Sequence, residues 1–454
     1  MSKKHKLWEK EFSAHQVVEQ YTTNDDLVLD QELIGEDVLG NLAHIAMLRK
    51  VRLLSTEEYK QLQKSLHHIW QEYSDHNYLL SYGDEDVHTR IENDVTEQFP
   101  VAGAKIHTGR SRNDQVLTDL RIYTKRQLLQ LAPTVLELAS SFLEFAEKYE
   151  FLAMPGYTHM QTAMLSSVGL WAHQFSSSLL DDMLSIEAAF AISDQSPLGS
   201  GAGYGISLPL DREYTAKLLG FSKVQENALY CQNSRGKIEA MVLHSLSQLM
   251  LTAGRFAQDL LLFTTSEFQF FTVAPELTTG SSIMPQKRNL DILELVRART
   301  KTMLSYEFQV SSIAAGLPSG YNRDVQEMKK PFMAGFELAA STLEVLLLTL
   351  QSITPNEEEI AKHITPELFA AHHSYEVMKA KNIPFREAYI EVGTHLQELP
   401  HFDSKDVLVK TKTVGAPGNL NLLKTKKDIF KMQKKWEEKQ NDWDRIVKQL
   451  LQTS

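Results

Sequence analysis

Cysteine is nearly absent: Cys231 is the single one in 454 residues. A lone thiol excludes an internal disulfide framework and fits a reducing compartment. Its plainest reading is a small buried residue, not a nucleophile. Basic charge is not in excess either. The 47 Lys and Arg against 58 Asp and Glu leave a net charge of -11, which argues against a nucleic-acid partner. Long apolar runs are missing too, since the greasiest stretch, around 345–350, is far too short to span a bilayer and follows Glu344. The opening residues MSKKHKLWEKEF are basic and then charged and aromatic, without the apolar core of a signal peptide. These absences together predict a soluble cytoplasmic protein with no membrane partner. Strand signals are scarce, and no internal repeat or low-complexity segment stands out.

What the sequence has in quantity is helical periodicity. From Ser234, read as an N-cap, apolar residues recur at Ile238, Val242, Leu246, Leu249, Ala253, Phe256, Leu260 and Phe263, the three-and-four spacing of one helix face. Such a helix measures roughly 45 Å at about 1.5 Å per residue. Met241, Leu243, Met250, Leu251 and Leu261 make its other faces apolar as well, which predicts burial inside a bundle or between subunits. Similar patterns occupy 117–149, 166–192, 291–315 and 331–353. The chain is too long for a single core. The expected class is therefore all-α, with a mostly helical unit over 1–108, a central long-helix bundle over 109–353 and a small helical unit over 354–454. The tail from Lys424 to Lys448, with Trp436 and Trp443 interleaved among Lys and Glu, reads as a solvated helix with an aromatic inner face.

Polar strings interrupt these helices. GSSIMPQKRNLD at 280–291 sets Ser281 and Ser282 on a glycine hinge beside Lys287 and Asn289, a grouping suited to taking a proton from carbon next to a carboxylate and holding the resulting charge. HTGRSRNDQ at 107–115 joins Arg110, Arg112, Asn113 and Asp114, matched to carboxylates, though an arginine-rich helix start capped by Ser111 explains it equally. MPGYTHMQ at 154–161 places Thr158 and His159 on a proline and glycine turn; a lone histidine is more often structural. DEDVHTRIE at 84–92 either orients a histidine by a carboxylate or is a charged helix. SPLGSGAGYGISL at 196–208 lacks the lysine and hydroxyl of a phosphate loop, so close backbone packing is its better account. YNRDVQEMKK at 321–330 reads as a solvated loop as readily as a ligand site. The pairs His67, His68 and His372, His373 lack metal-ligand spacing, so no metal site is expected.

Taken together, in this order and along nearly the whole chain, these strings resemble the argininosuccinate lyase family of the fumarase and aspartase superfamily. The 280s string is similar across the superfamily; HTGRSRNDQ, GYTHMQ and YNRDVQEMKK are closer to the argininosuccinate branch. The resemblance implies cleavage of argininosuccinate to arginine and fumarate by anti elimination, without metal or organic cofactor. It implies that Ser281, His159, Glu294 and Lys287 are catalytic, with Ser281 as base and His159, oriented by Glu294, as acid. It implies substrate binding by Asp26, Arg112, Asn113, Thr158, Asn289, Tyr321, Gln326 and Lys329. It further implies a homotetramer built on the central helices, each active site shared between subunits. Trp8 is followed by Glu9, Lys10, Glu11 and Phe12, where the family usually has two glycines, an arginine and a phenylalanine. Asp26 stands at a usual serine, Leu165 and Leu290 at frequent prolines, and Arg288 at a frequent lysine. These departures motivate two alternatives: a relative eliminating fumarate from another N-substituted aspartate, and a catalytically silent, crystallin-like member of the fold.

Overall fold

The computed structural model describes residues 15–23, 25–81 and 84–452, so the departures at Trp8 to Phe12 lie outside the described residues. The architecture is helical. Among the described residues, the helices of 23 residues or more are Arg112–Lys148, Val168–Ser193, Lys237–Phe263, Asp291–Ala314, Lys329–Gln351 and Leu422–Leu451.

Caps explain where these helices start. The first begins at Arg112, ahead of the expected 117, because Ser111 and Asp114 cap it reciprocally. Ser111 N donates to Asp114 Oδ1 at 2.8 Å, and Asn113 N donates to Ser111 Oγ at 3.2 Å. That polar first turn carries no apolar repeat, which is why periodicity alone placed the start late. Ser234 is not the N-cap of the third helix. Its hydroxyl donates to Cys231 O at 2.8 Å, and the helix instead opens after Gly236, whose φ of 83° favours glycine. A Cβ there would lie 2.7 Å from Met328 Sδ, and Gly236 N donates to Glu239 Oε2 at 2.5 Å.

The central helices bury a cluster of aromatic rings. Phe142 lies 5.1 Å from Phe175 and 5.0 Å from Phe256, and Trp171 lies 4.9 Å from Phe271. Each such pair adds about 0.5–1.5 kcal/mol beyond its buried area. A second buried group, drawn from Ile34, Val38, Leu62, Leu66, Val87, Ile91 and Ile106, precedes this bundle in the chain. A third, of Leu368, Phe369 and Val407, follows it. The Leu422–Leu451 helix returns to the central core through Ile429, Trp436 and Trp443, and Trp436 meets Phe190 edge-on at 5.5 Å. The aromatic inner face expected of the tail is therefore its packing surface. Arg112–Lys148 and Arg323–Gln351 are long and apolar enough to cross a membrane by length and composition, although the run at 345–350 alone is not. About half of each, 56% and 50% of its most apolar window, is buried among neighbouring helices, as in the core of a bundle.

Short antiparallel pairs join the helices. Ala153–Thr158 pairs with Gln161–Ser167, with a bulge between Gly156 and Tyr157, and Thr279–Gly280 pairs with Arg288–Asn289. The glycine string 196–208 is a backbone cradle whose occupant is internal. The amides of Gly199 and Gly201 both donate to Asp114 Oδ2 at 2.9 Å, tying this loop to the start of the Arg112–Lys148 helix. Cys231 is wholly buried, donates to Gln225 O at 3.3 Å, and its thiol is pushed up by burial.

Candidate functional site

One polar cavity, with about 160 Å³ of water-accessible space, lies where the segment around Asp26–Gln31, the start of the Arg112–Lys148 helix and the 321–329 segment converge. Six of the residues expected to bind substrate line it: Asp26, Arg112, Asn113, Tyr321, Gln326 and Lys329. The 321–330 string is no solvated loop here. It turns through a 3₁₀ helix, Arg323–Met328, and delivers Lys329 at 4% side-chain exposure. Lys329 Nζ donates to Asp30 Oδ1 at 2.5 Å and to Asp26 Oδ1 at 2.8 Å. Burial opposes its charge, but the two carboxylates outweigh burial and raise its pKa. Asp26, in turn, is pushed up by burial, with Lys329 pulling it back. Aspartates four residues apart on one helix face thus hold a buried ammonium between them.

Arg112 meets carboxylates as expected, but they belong to the chain itself. Its Nη1 lies 2.9 Å from Glu85 and 3.2 Å from Asp86, and its Nη2 donates to Thr89 Oγ1 at 2.6 Å. Gln326 Nε2 donates to Thr22 O at 2.8 Å. His88 also lines the cavity, oriented from other helices and not from within its own 84–92 string. Its Nδ1 lies 2.8 Å from Asp37 Oδ1 and 3.7 Å from Asp119 Oδ2. Burial disfavours the imidazolium, yet Asp37 and Asp119 prevail and raise its pKa to about 10. Asp37, His88 and Asp119 also offer three ligand atoms within 4.8 Å of one another; a cation there would have to displace the His88 proton that bonds Asp37.

Thr158, His159, Ser281, Lys287, Asn289 and Glu294 do not line this cavity. They sit on two surface hairpins and the helix beginning at Asp291. The turn of the first hairpin is not at Pro155 and Gly156, which lie within the strand, but at His159 and Met160, with φ of 53° and 61°. Positive φ at both central residues is the geometry that suits a two-residue hairpin, although neither side chain favours it. His159, Lys287 and Glu294 are exposed, and among the described residues no hydrogen bond or ion pair joins His159 to Glu294. In the 280s hairpin, Gly280 keeps an ordinary φ in open space, so the strand pair itself presents Ser281. Ser281 Oγ accepts from Met284 N at 3.2 Å and Ile283 N at 3.4 Å.

Sequence reasoning missed Arg235 and Asp30 as members of the site, and read His88 only as a histidine that a carboxylate within 84–92 could orient. Arg235 is 7% exposed and lines the cavity. Lying between a serine and a glycine at a helix start, it carries no motif. For Asp30, its four-residue spacing from Asp26 was the one signal the sequence held.

The family model described as Lyase matches residues 10–303. The argininosuccinate lyase of Thermotoga neapolitana is 41% identical over 384 residues, 85% of this chain and 96% of that protein. Those of Bacteroides fragilis and Sorangium cellulosum are each 40% identical, covering 91% and 92% of this chain and 92% and 96% of theirs. Among solved structures, an EDDS lyase in complex with formate superposes with a TM-score of 0.80 at 19% identity, over 97% of this chain and 95% of that one. A class II fumarase from Schistosoma mansoni gives 0.71 at 15%, over 88% and 96%. The structural neighbours share the fold. Identity near 40% sustained over most of both chains goes well beyond a shared fold, and the chain belongs to the argininosuccinate lyase family.

Proposed function

We propose that the protein cleaves argininosuccinate to L-arginine and fumarate by anti β-elimination, as the last step of arginine biosynthesis in the cytoplasm. The observation that carries this reading is the match, at about 40% identity across 85–92% of the chain, to proteins of that name; the sequence also holds Ser281, His159, Lys287 and Glu294 in the strings that carry the resemblance. The presence of all four weighs against a silent scaffold, which needs none of them.

The hard step is removal of a weakly acidic Cβ proton beside a carboxylate, which puts a second negative charge on that group. Ser281 acts as the base. Two backbone amides already aim at its Oγ, and such donors favour an alkoxide over a hydroxyl. Lys287 and Asn289 stabilise the dianion where it develops, an effect on the order of several kcal/mol. His159 protonates the departing guanidinium nitrogen, oriented by a Glu294 that the assembly described below must supply, since among the described residues the two do not meet within one chain. Asn113 and Thr158 hold the succinyl end; Asp26, Arg112, Tyr321, Gln326 and Lys329 receive the arginine end.

A proton moves only across about 2.6–3.2 Å, and within one chain the exposed hairpin groups lie outside the cavity. We therefore infer that the central bundle, within units 1–108, 109–353 and 354–454, builds a homotetramer that brings one subunit's hairpins to another's cavity. Supporting this, Phe308 is 74% exposed on a central helix, with Leu304, Leu348, Met241 and Leu251 also exposed. Fumarate absorbance, followed with purified protein on argininosuccinate, adenylosuccinate, aspartate and malate in parallel, tests the reading. Faster turnover of any other substrate, or none of argininosuccinate, sinks it.

A further inference from the structure

The unit that follows the bundle has little apolar core of its own, drawn from Leu368, Phe369 and Val407. Two of its helices, Ala370–Lys381 and Phe385–Thr394, pack together, and with the 3₁₀ turn Leu396–Glu398 they enclose a pocket with about 250 Å³ of water-accessible space. Four side chains able to ligate a metal line it: His373 from the first helix, Glu391 from the second, and His395 and Glu398 just beyond. Glu391, His395 and Glu398 are spaced by four and then three residues, which keeps them on one side of the helical turns. The neighbouring pair His372 and His373 offers no ligand set by itself. Folding adds the partners from the next helix.

The two histidines are held as ligands are held. His395 Nδ1 lies 2.8 Å from Glu391 O, and a carbonyl oxygen only accepts, so Nδ1 carries the proton and Nε2 keeps its lone pair. His373 Nδ1 is buried without a hydrogen-bond partner and lies 3.7 Å from Glu376 Oε2, which leaves Nε2 as its open nitrogen. One ring nitrogen turned to a carbonyl or carboxylate, with the other open, is the arrangement that orients a metal-binding imidazole. Glu391 engages Lys381 through Oε1 alone. Glu398 is exposed, and among the described residues its carboxylate makes no hydrogen bond or ion pair. The pocket is thus lined by four acceptors and no donor side chain, a set that repels anions and is satisfied by a cation. Two imidazoles with two carboxylates suit zinc, whereas magnesium and calcium take oxygen alone. The four do not converge on one point as they stand, unlike Asp37, His88 and Asp119. Closing the set takes rotamer changes at Glu391 and Glu398, whose exposure leaves them room to turn.

We propose that His373, Glu391, His395 and Glu398 bind one divalent ion of the zinc class, which clamps the two helices of this thinly cored unit together. The test needs no turnover, so it stands apart from the lyase reading. Calorimetric titration of the untagged full-length protein, stripped with EDTA and dialysed, with zinc chloride is expected to show a site with a Kd on the order of 10 μM or below. His395→Ala and His373→Ala are each expected to weaken that site by at least about ten-fold. Glu398→Gln, at an exposed carboxylate, serves if a histidine variant does not fold, and is expected to weaken it by at least about three-fold. Zinc is also expected to slow amide exchange across 370–399 in the unmodified protein and not in these variants. Zinc binding weaker than about 1 mM in the unmodified protein overturns the proposal. Undiminished affinity in the variants does so too, because it puts the ion elsewhere, Asp37, His88 and Asp119 included.

Discussion

The cavity and the hairpins are fixed by different forces. The cavity is held by buried charges from distant parts of the chain: Asp30 and Lys329 each expose 4% of their side chains, and both come from helical segments. The hairpins carry exposed side chains on short strand pairs, placed by turn geometry and a few backbone hydrogen bonds. Binding an ionic substrate needs charges fixed before it arrives, and burial supplies that fixity. A residue that must strip a proton and then let product leave is better mounted on elements that open at little cost.

The sharpest way to break this contrast is Ser281→Ala. It is expected to lower turnover by about 10²–10⁴-fold, with thermal stability and oligomeric state unchanged, because nothing in the core depends on that hydroxyl. Near-normal fumarate release would remove Ser281 from the mechanism. Mixing this variant with Lys329→Met, each inactive alone, should recover activity if hairpins and cavity meet across subunits, and recover none if each chain works alone.

Lys329→Met tests the other half through stability. Removing one partner of a buried ionic group leaves Asp26 and Asp30 facing each other, at a cost of about 3–5 kcal/mol, measured by urea denaturation. The deficit should shrink as the pH falls and Asp26, already pushed up by burial, takes up a proton. A loss of activity at unchanged stability would mean that the ion triad does not hold the cavity together.

His88 makes the same point through pH. Its pKa is raised to about 10 in the folded protein, against about 6.5 for an unperturbed histidine. Between those values the folded state binds more protons than the unfolded one, so stability falls as pH rises, by up to about 1.4 kcal/mol per unit from this group. The contribution is complete below about 6.5 and gone above 10. Urea midpoints measured from pH 7 to 9.5 should decline more steeply in the unmodified protein than in His88→Gln, and parallel declines would place the titration elsewhere.

How much of this was legible in the sequence follows the same division. Long helices were readable because one apolar face repeats every three or four residues, as in the 238–263 run. The start after Gly236 was not, since a left-handed glycine leaves no periodic trace, and the start at Arg112 was readable only from Ser111 as a cap, because its polar first turn carries no apolar repeat. Residues in the polar strings were readable as a set, through resemblance. Arg235 and the pairing of His88 with Asp37 and Asp119 depend on which helices pack together, and no local string records that. The 153–167 hairpin was hidden because its turn residues, His159 and Met160, are not ones that turn chemistry favours.

That hairpin allows the finest test of what holds the exposed half. A left-handed backbone costs a side-chain-bearing residue roughly 1–2 kcal/mol, whereas glycine loses about 0.5–1 kcal/mol more chain entropy on folding. Met160, at φ of 61° and 70% exposed, has little packing to lose. Met160→Gly should therefore stabilise the protein by about 0.5 kcal/mol, seen as a small rise in Tm, while His159 keeps its place at the tip. If the strain positions His159, relaxing it will lower kcat as it raises Tm. If the strand pairing alone suffices, Tm rises and kcat stays, and the turn's unusual residues reflect the demand for a histidine at that point and not a store of energy.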